Sequence, residues 1–71
     1  MTDHVVLKGR RVELTSREWE VLECLREGLS TAETAKRLFI SQATVRSHVA
    51  STLHKLGAHS RDEAVRLLDD R

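Results

Sequence analysis

Arg46, Ser47 and Ala50 sit at i, i+1 and i+4 in a stretch that holds no aspartate or glutamate from Thr34 to Arg61. All 11 carboxylates of the 71-residue chain fall outside it. Inside it are Lys36, Arg37, Arg46, Lys55 and Arg61, with His48, His54 and His59. A helical surface with spaced cations and no acid attracts a polyanion. The Arg46 guanidinium can pair bidentately with guanine O6 and N7. The Ser47 hydroxyl can donate or accept at several base edges, and the Ala50 methyl can meet a thymine methyl. Ala43, Ser47, Ala50 and Ser51 are small, so a helix carrying them can sink into a major groove. The chemistry on offer is recognition of nucleic acid.

Bond-making chemistry finds little support. Cys24 falls among apolar residues of a helical segment and reads as a core or boundary residue. His48 and His54, six residues apart on one helix, point to different sides and do not converge on a metal ion. No metal site, catalytic residue or cofactor is expected. Glu18 lies within an apolar helical face, where it can cap its own helix and pair with a basic residue of the second or third helix. Glu20, Glu23 and Glu27 read as a solvated face.

The elements that would position these residues are marked by caps. Thr15-Ser16-Arg17-Glu18 fits a capping box, with Leu14 and Trp19 at the staple positions. A first helix is predicted from about Ser16 to Glu27, stopped by Gly28. Ser30-Thr31-Ala32-Glu33 opens a second, about Thr31 to Leu38. Ser41 caps a third, about Gln42 to Leu56, ended by Gly57. Ser60-Arg61-Asp62-Glu63 opens a fourth, reaching about Leu68. Val21, Leu22 and Leu25 share one face of the first helix; Val45, Val49, Leu53 and Leu56 share one face of the third. Only Phe39, Ile40 and Ser41 separate the second and third helices, a turn short enough to force a steep crossing. Before residue 14, Val5-Val6-Leu7, Lys8-Gly9 and Val12-Glu13-Leu14 read as an extended arm or a small hairpin. The fold class is therefore all-α, a four-helix helix-turn-helix domain with that arm. Residues 1–13 form the arm, 14–70 the domain and about 29–48 the motif.

Composition agrees with a small intracellular domain. Net charge is +1 overall, but −1 over residues 1–29, +3 over 30–57 and −1 over 58–71. A single cysteine excludes an internal disulfide and fits a reducing cytoplasm. No apolar run is long enough to span a membrane, and the N-terminus lacks a signal-peptide pattern. Aromatic residues are too few for a single-strand stacking platform.

Leu14-Thr15-x-Arg17-Glu18-x-x-Val21-Leu22, Gly28-Leu29-Ser30, Ala35-x-x-Leu38, Ile40-Ser41-x-x-Thr44-Val45-Arg46-x-His48 and Lys55-Leu56-Gly57 together resemble the LuxR/FixJ (GerE) helix-turn-helix domain. The resemblance covers roughly residues 13–68 without gaps. It implies a DNA-binding domain of bacterial transcription regulators, with the third helix in the major groove. Base-reading positions then fall on Arg46, Ser47 and Ala50. Backbone-contacting positions fall on Ser30, Thr31, Thr44 and Lys55. The residues themselves add Ser41, Gln42, Lys36, Arg37 and His48 as phosphate contacts. The resemblance also implies a homodimer through the fourth helix. Of Ala64, Val65, Leu67 and Leu68, some must close the core; either all four do, or the remainder, assigned as Val65 and Leu68, forms a small seam and a weak dimer. Double-stranded DNA at the nucleoid is the expected partner, and RNA polymerase a further candidate.

Four positions depart from the family pattern. Thr34 and Thr52 stand where aliphatic residues are usual, and a buried threonine there would bond a carbonyl one turn back. Ala50 replaces a frequent cation. Trp19 replaces a polar residue and is expected to pack on Leu14 and the arm. Two other readings use similar residues. One is a sigma-region-4-like module held by polymerase or a regulatory protein. The other is a winged helix, disfavoured because the chain after Gly57 reads as a capped helix with no room for a wing. Regulators with this domain usually carry a sensing or receiver domain, so the chain is either a piece of a longer regulator or a short protein starting at Met1.

Overall fold

The computed structural model describes residues 2–7 and 9–69. In chain order the elements are β1 (Thr2–Leu7), β2 (Arg10–Thr15), α1 (Ser16–Arg26), α2 (Thr31–Leu38), α3 (Gln42–Leu56) and α4 (Arg61–Asp69). The arm is a hairpin. β1 and β2 pair antiparallel, with Val5 opposite Val12 and Leu7 opposite Arg10. Lys8 of the expected Lys8-Gly9 turn lies outside the described residues. Gly9 has a φ of +78°, a left-handed conformation that a Cβ disfavours. A lone hairpin is marginal in water. This one is held because Leu7, Val12 and Leu14 enter the same core as the helices.

Local capping chemistry sets the helix starts. Thr15 Oγ1 accepts from the Glu18 N–H at 3.1 Å, and Glu18 Oε1 accepts from the Thr15 N–H at 2.8 Å. Ser30 and Glu33 repeat this box with the same two distances. Ser41 Oγ caps α3 by accepting from the Thr44 N–H at 3.1 Å. The box expected at Ser60 closes differently. Ser60 Oγ accepts from the Glu63 N–H, but the Glu63 carboxylate accepts from the N–H of His59, one residue earlier. The His59 ring stands beside the same carboxylate, with Nδ1 3.5 Å from Oε2.

α1 is followed by Gly28 and α3 by Gly57, both with positive φ as their positions require. α2 ends on Phe39, whose φ of 58° and ψ of 43° place a bulky residue in the left-handed region. Its ring is 94% exposed, so packing does not account for the residue. Phe39 N–H and Ile40 N–H still satisfy the last carbonyls of α2, at Lys36 and Ala35.

The core joins Val21, Leu22 and Leu25 of α1, Ala35 of α2, Val45, Val49 and Leu56 of α3, and Ala64 and Leu68 of α4. Trp19 packs against it half-buried, and its Nε1 has no hydrogen-bond partner among the described residues. Thr34 and Thr52 are both fully buried. Thr52 Oγ1 donates to the His48 carbonyl at 2.7 Å, one turn back as expected. Thr34 Oγ1 departs from that expectation and has no partner among the described residues. Cys24 is buried as a free thiol.

Candidate nucleic-acid interface

α3 carries the expected surface. Gln42, Ala43, Thr44, Arg46, Ser47, Ala50, Ser51, His54 and Lys55 are exposed along it, and His48 is half-buried. The helix contains no carboxylate. Its opposite side buries Val45, Val49, Thr52 and Leu56, which fixes which side faces outward. Arg46 makes no ion pair among the described residues and projects into solvent. At the start of α3 the Ser41 and Thr44 hydroxyls lie 2.9 Å apart, so one donates to the other and only the second keeps its O–H for an anion.

Lys55 is placed differently from a free surface cation. Its Nζ donates to Glu18 Oε1 at 2.8 Å, linking α3 to α1. Ser51 Oγ, one turn earlier, donates to Glu18 Oε2 at 2.7 Å. The Glu18 residue is only 3% exposed. Burial opposes its ionisation, but the bonds from Lys55, the Thr15 N–H and Ser51 outweigh it and hold the carboxyl at a pKa of about 2. Lys55 Nζ therefore has a fixed partner on one side and two further N–H donors. At the carbonyl of the same residue, the Arg10 guanidinium donates across 3.3 Å, so β2 also grips the last turn of α3.

The α2 positions split. Ser30 is exposed and Thr31 half-buried at its start. Glu33 stays ionised there, because its bonds with the Ser30 N–H and hydroxyl pull its pKa below the usual carboxylate range. Thr31 Oγ1 accepts from Arg61 Nη2 at 2.7 Å. Lys36 is exposed and makes no ion pair among the described residues, whereas Arg37 pairs with Glu27 at 2.7 Å. Arg37 must therefore share its charge with Glu27 in any phosphate contact.

Helix α4 corrects one expectation. Leu68, assigned to a dimer seam, is 3% exposed and closes the monomer core, because α4 packs on α1 and α3 through Ala64 and Leu68. Val65 and Leu67 remain half-buried. An open groove of about 350 Å³ is lined by Leu7, Arg10, Leu56, Gly57, Glu63 and Leu67, none of them an expected DNA-contact residue. Among the described residues no cluster of side chains could hold a metal ion, and no helix is long and apolar enough to cross a membrane.

Sequence reasoning did not find the bonds of Arg10 to α3 and of Arg61 to α2. Both join residues far apart in the chain, and neither arginine has a local signal of its partner. The bond of Ser51 to Glu18 was likewise hidden, since Ser51 lies within the small-residue face of α3.

The model of the luxR family of bacterial regulatory proteins matches residues 12–68. The chain is 48% identical over 52 residues to the spore germination protein GerE of Bacillus subtilis, covering 73% of this chain and 70% of that protein. It is 41% identical over 63 residues to the response regulator RamR of Streptomyces coelicolor, covering 89% of this chain but 31% of RamR. It is 43% identical over 53 residues to the HTH-type transcriptional activator RamA of Corynebacterium glutamicum, covering 75% of this chain and 19% of RamA. The chain thus spans most of GerE and under a third of RamR. β1 precedes the residues that the family model matches. The four helices fall inside the match or end one residue beyond it, and the chain belongs to the luxR family of bacterial regulatory proteins.

Proposed function

We propose that this chain reads a specific double-stranded DNA site with α3 in the major groove. The observation that carries the reading is the outward face of α3: small side chains around a solvent-facing Arg46, with no carboxylate on the helix. Arg46, Ser47 and Ala50 read base edges. Ser41, Gln42, Thr44 and His48, with Ser30, Thr31 and Lys36 of α2, meet phosphates. Lys55 and Arg37 add charge while keeping their bonds to Glu18 and Glu27. The setting is bacterial transcription regulation at the nucleoid, as the output domain of a longer regulator or as a short protein resembling GerE. With Leu68 in the core, a two-fold contact through α4 is left with Val65 and Leu67, so self-association is weak; RNA polymerase is a further candidate partner.

In vitro selection of bound duplexes followed by a salt titration tests this. Affinity should fall steeply with salt, and Arg46→Ala should relax preference at one base position by about 1–3 kcal/mol. Salt-independent binding, or unchanged selection in Arg46→Ala, would overturn the placement of α3.

A further inference from the structure

Arg61 opens α4, yet its guanidinium serves α2: Nη2 donates to Thr31 Oγ1 at 2.7 Å. Arg11, Arg17, Arg26 and Arg37 each face a carboxylate, whereas Arg61 makes no ion pair among the described residues. Arg61 as a residue is half-buried. Asp62 and Glu63 share the first turn of α4 with it, but the bond to Thr31 does not itself require a charge. Arg61 occupies the first residue of α4, and its head lies on the first residue of α2. Both are helix starts, where the backbone already carries partial positive charge and a cation is disfavoured. The acid of the first turn of α2, Glu33, is turned to the Ser30 N–H at 2.8 Å and does not neutralise it. A neutral donor would bond Thr31 without that repulsion. The arrangement makes sense once an anion sits beside it.

We propose that Arg61 is a phosphate-binding residue, supplied by α4 from outside the helix-turn-helix. One guanidinium N–H is fixed on Thr31, and the others meet a DNA phosphate brought to the start of α2. The bond to Thr31 holds the fork in place before DNA arrives, so little side-chain freedom is lost on binding. This inference rests on the docking of α2 and α3 proposed above.

The test uses the whole 71-residue chain and a duplex recovered by selection. Arg61→Gln should lower the slope of log affinity against log salt by about 0.9, the worth of one phosphate contact. At physiological salt its binding should be about fivefold weaker on every sequence alike. Arg61→Lys should keep most of the slope, and Arg66→Gln should leave it unchanged. In the unsubstituted protein, the Arg61 Nε–H resonance should shift on adding the duplex, which settles the matter even where Arg61→Gln does not fold. An unchanged slope in Arg61→Gln, or an unmoved Arg61 resonance under steep salt-dependent binding, would show that Arg61 only ties α4 to α2. Binding by the unsubstituted protein that ignores salt would instead overturn the docking itself, and this role with it.

Discussion

Glu18 of α1 and Lys55 of α3 meet at 2.8 Å, with the carboxylate buried and the ammonium at the edge of the exposed, carboxylate-free face of α3. The pair ties the cap of one helix to the last turn of another. Substituting Lys55 therefore removes two things at once. Lys55→Met strands a buried carboxylate, which costs on the order of 2 kcal/mol because the Lys55 side is partly solvated. Glu18→Gln with Lys55→Met should recover much of that loss in urea denaturation, since no unpaired charge is left. A simple sum of the two single effects would show that the residues act independently.

The same carboxylate sets an acid limit. Its pKa of about 2 lies well below the ordinary value of 4.5, so the folded state favours the ionised form. That stabilisation is fully present above the unfolded value and is lost as pH falls toward the folded one. It amounts to about 3 kcal/mol. Denaturant midpoints should drop over that acid range, and Glu18→Gln should remove much of the drop. An equally steep acid loss in Glu18→Gln would place the sensitivity on other carboxylates.

The helix frame was legible because its signals are local. Thr15, Ser30, Ser41 and Ser60 each cap the helix that follows, and Gly28 and Gly57 stop the helices before them. The face of α3 was legible because Val45, Val49 and Leu56 fix its buried side by spacing alone. Partners across the fold were not. Nothing in the sequence distinguishes Arg61, which reaches Thr31, from Arg66, or Arg37, which is engaged with Glu27, from the free Lys36. Leu68 and Val65 look alike in sequence, and only the packing of α4 on α1 and α3 assigns Leu68 to the core.

Thr34 and Thr52 make a paired test of buried hydroxyls. Both are fully buried, but only Thr52 is bonded. Thr34→Val replaces an unsatisfied hydroxyl by a methyl of similar volume and should stabilise by about 1 kcal/mol. Thr52→Val loses a made bond and should come out neutral or destabilising by about 1 kcal/mol. Urea midpoints of the two variants should thus move apart. Equal shifts would mean that Thr34 finds a bond in solution.

Phe39 should be replaceable with gain. Its left-handed backbone disfavours any Cβ, and its exposed ring contributes no burial in return. Phe39→Gly should raise stability by up to about 1 kcal/mol, and a β-branched Phe39→Val should lower it. If Phe39→Gly is instead destabilising, the ring or the stiffness of the turn holds α2 against α3.

Thr44 separates folding from binding most cleanly. It is the third residue of α3, where α1 has Glu18, α2 has Glu33 and α4 has Glu63. A glutamate at that position would reach back to the Ser41 N–H as Glu18 reaches the Thr15 N–H, and it would suit the positive start of the helix. Thr44→Glu should therefore leave the fold intact or more stable by about 0.5 kcal/mol in thermal melts. On DNA the same carboxylate would face phosphates in place of a hydroxyl that can donate to one. Affinity measured by fluorescence anisotropy should fall by about tenfold or more, with part of the loss recovered at higher salt as the repulsion is screened. Opposite movement of stability and affinity would mark the start of α3 as a surface shaped by its partner against its own capping chemistry. Unchanged affinity would mean that this end of the helix does not approach the DNA backbone.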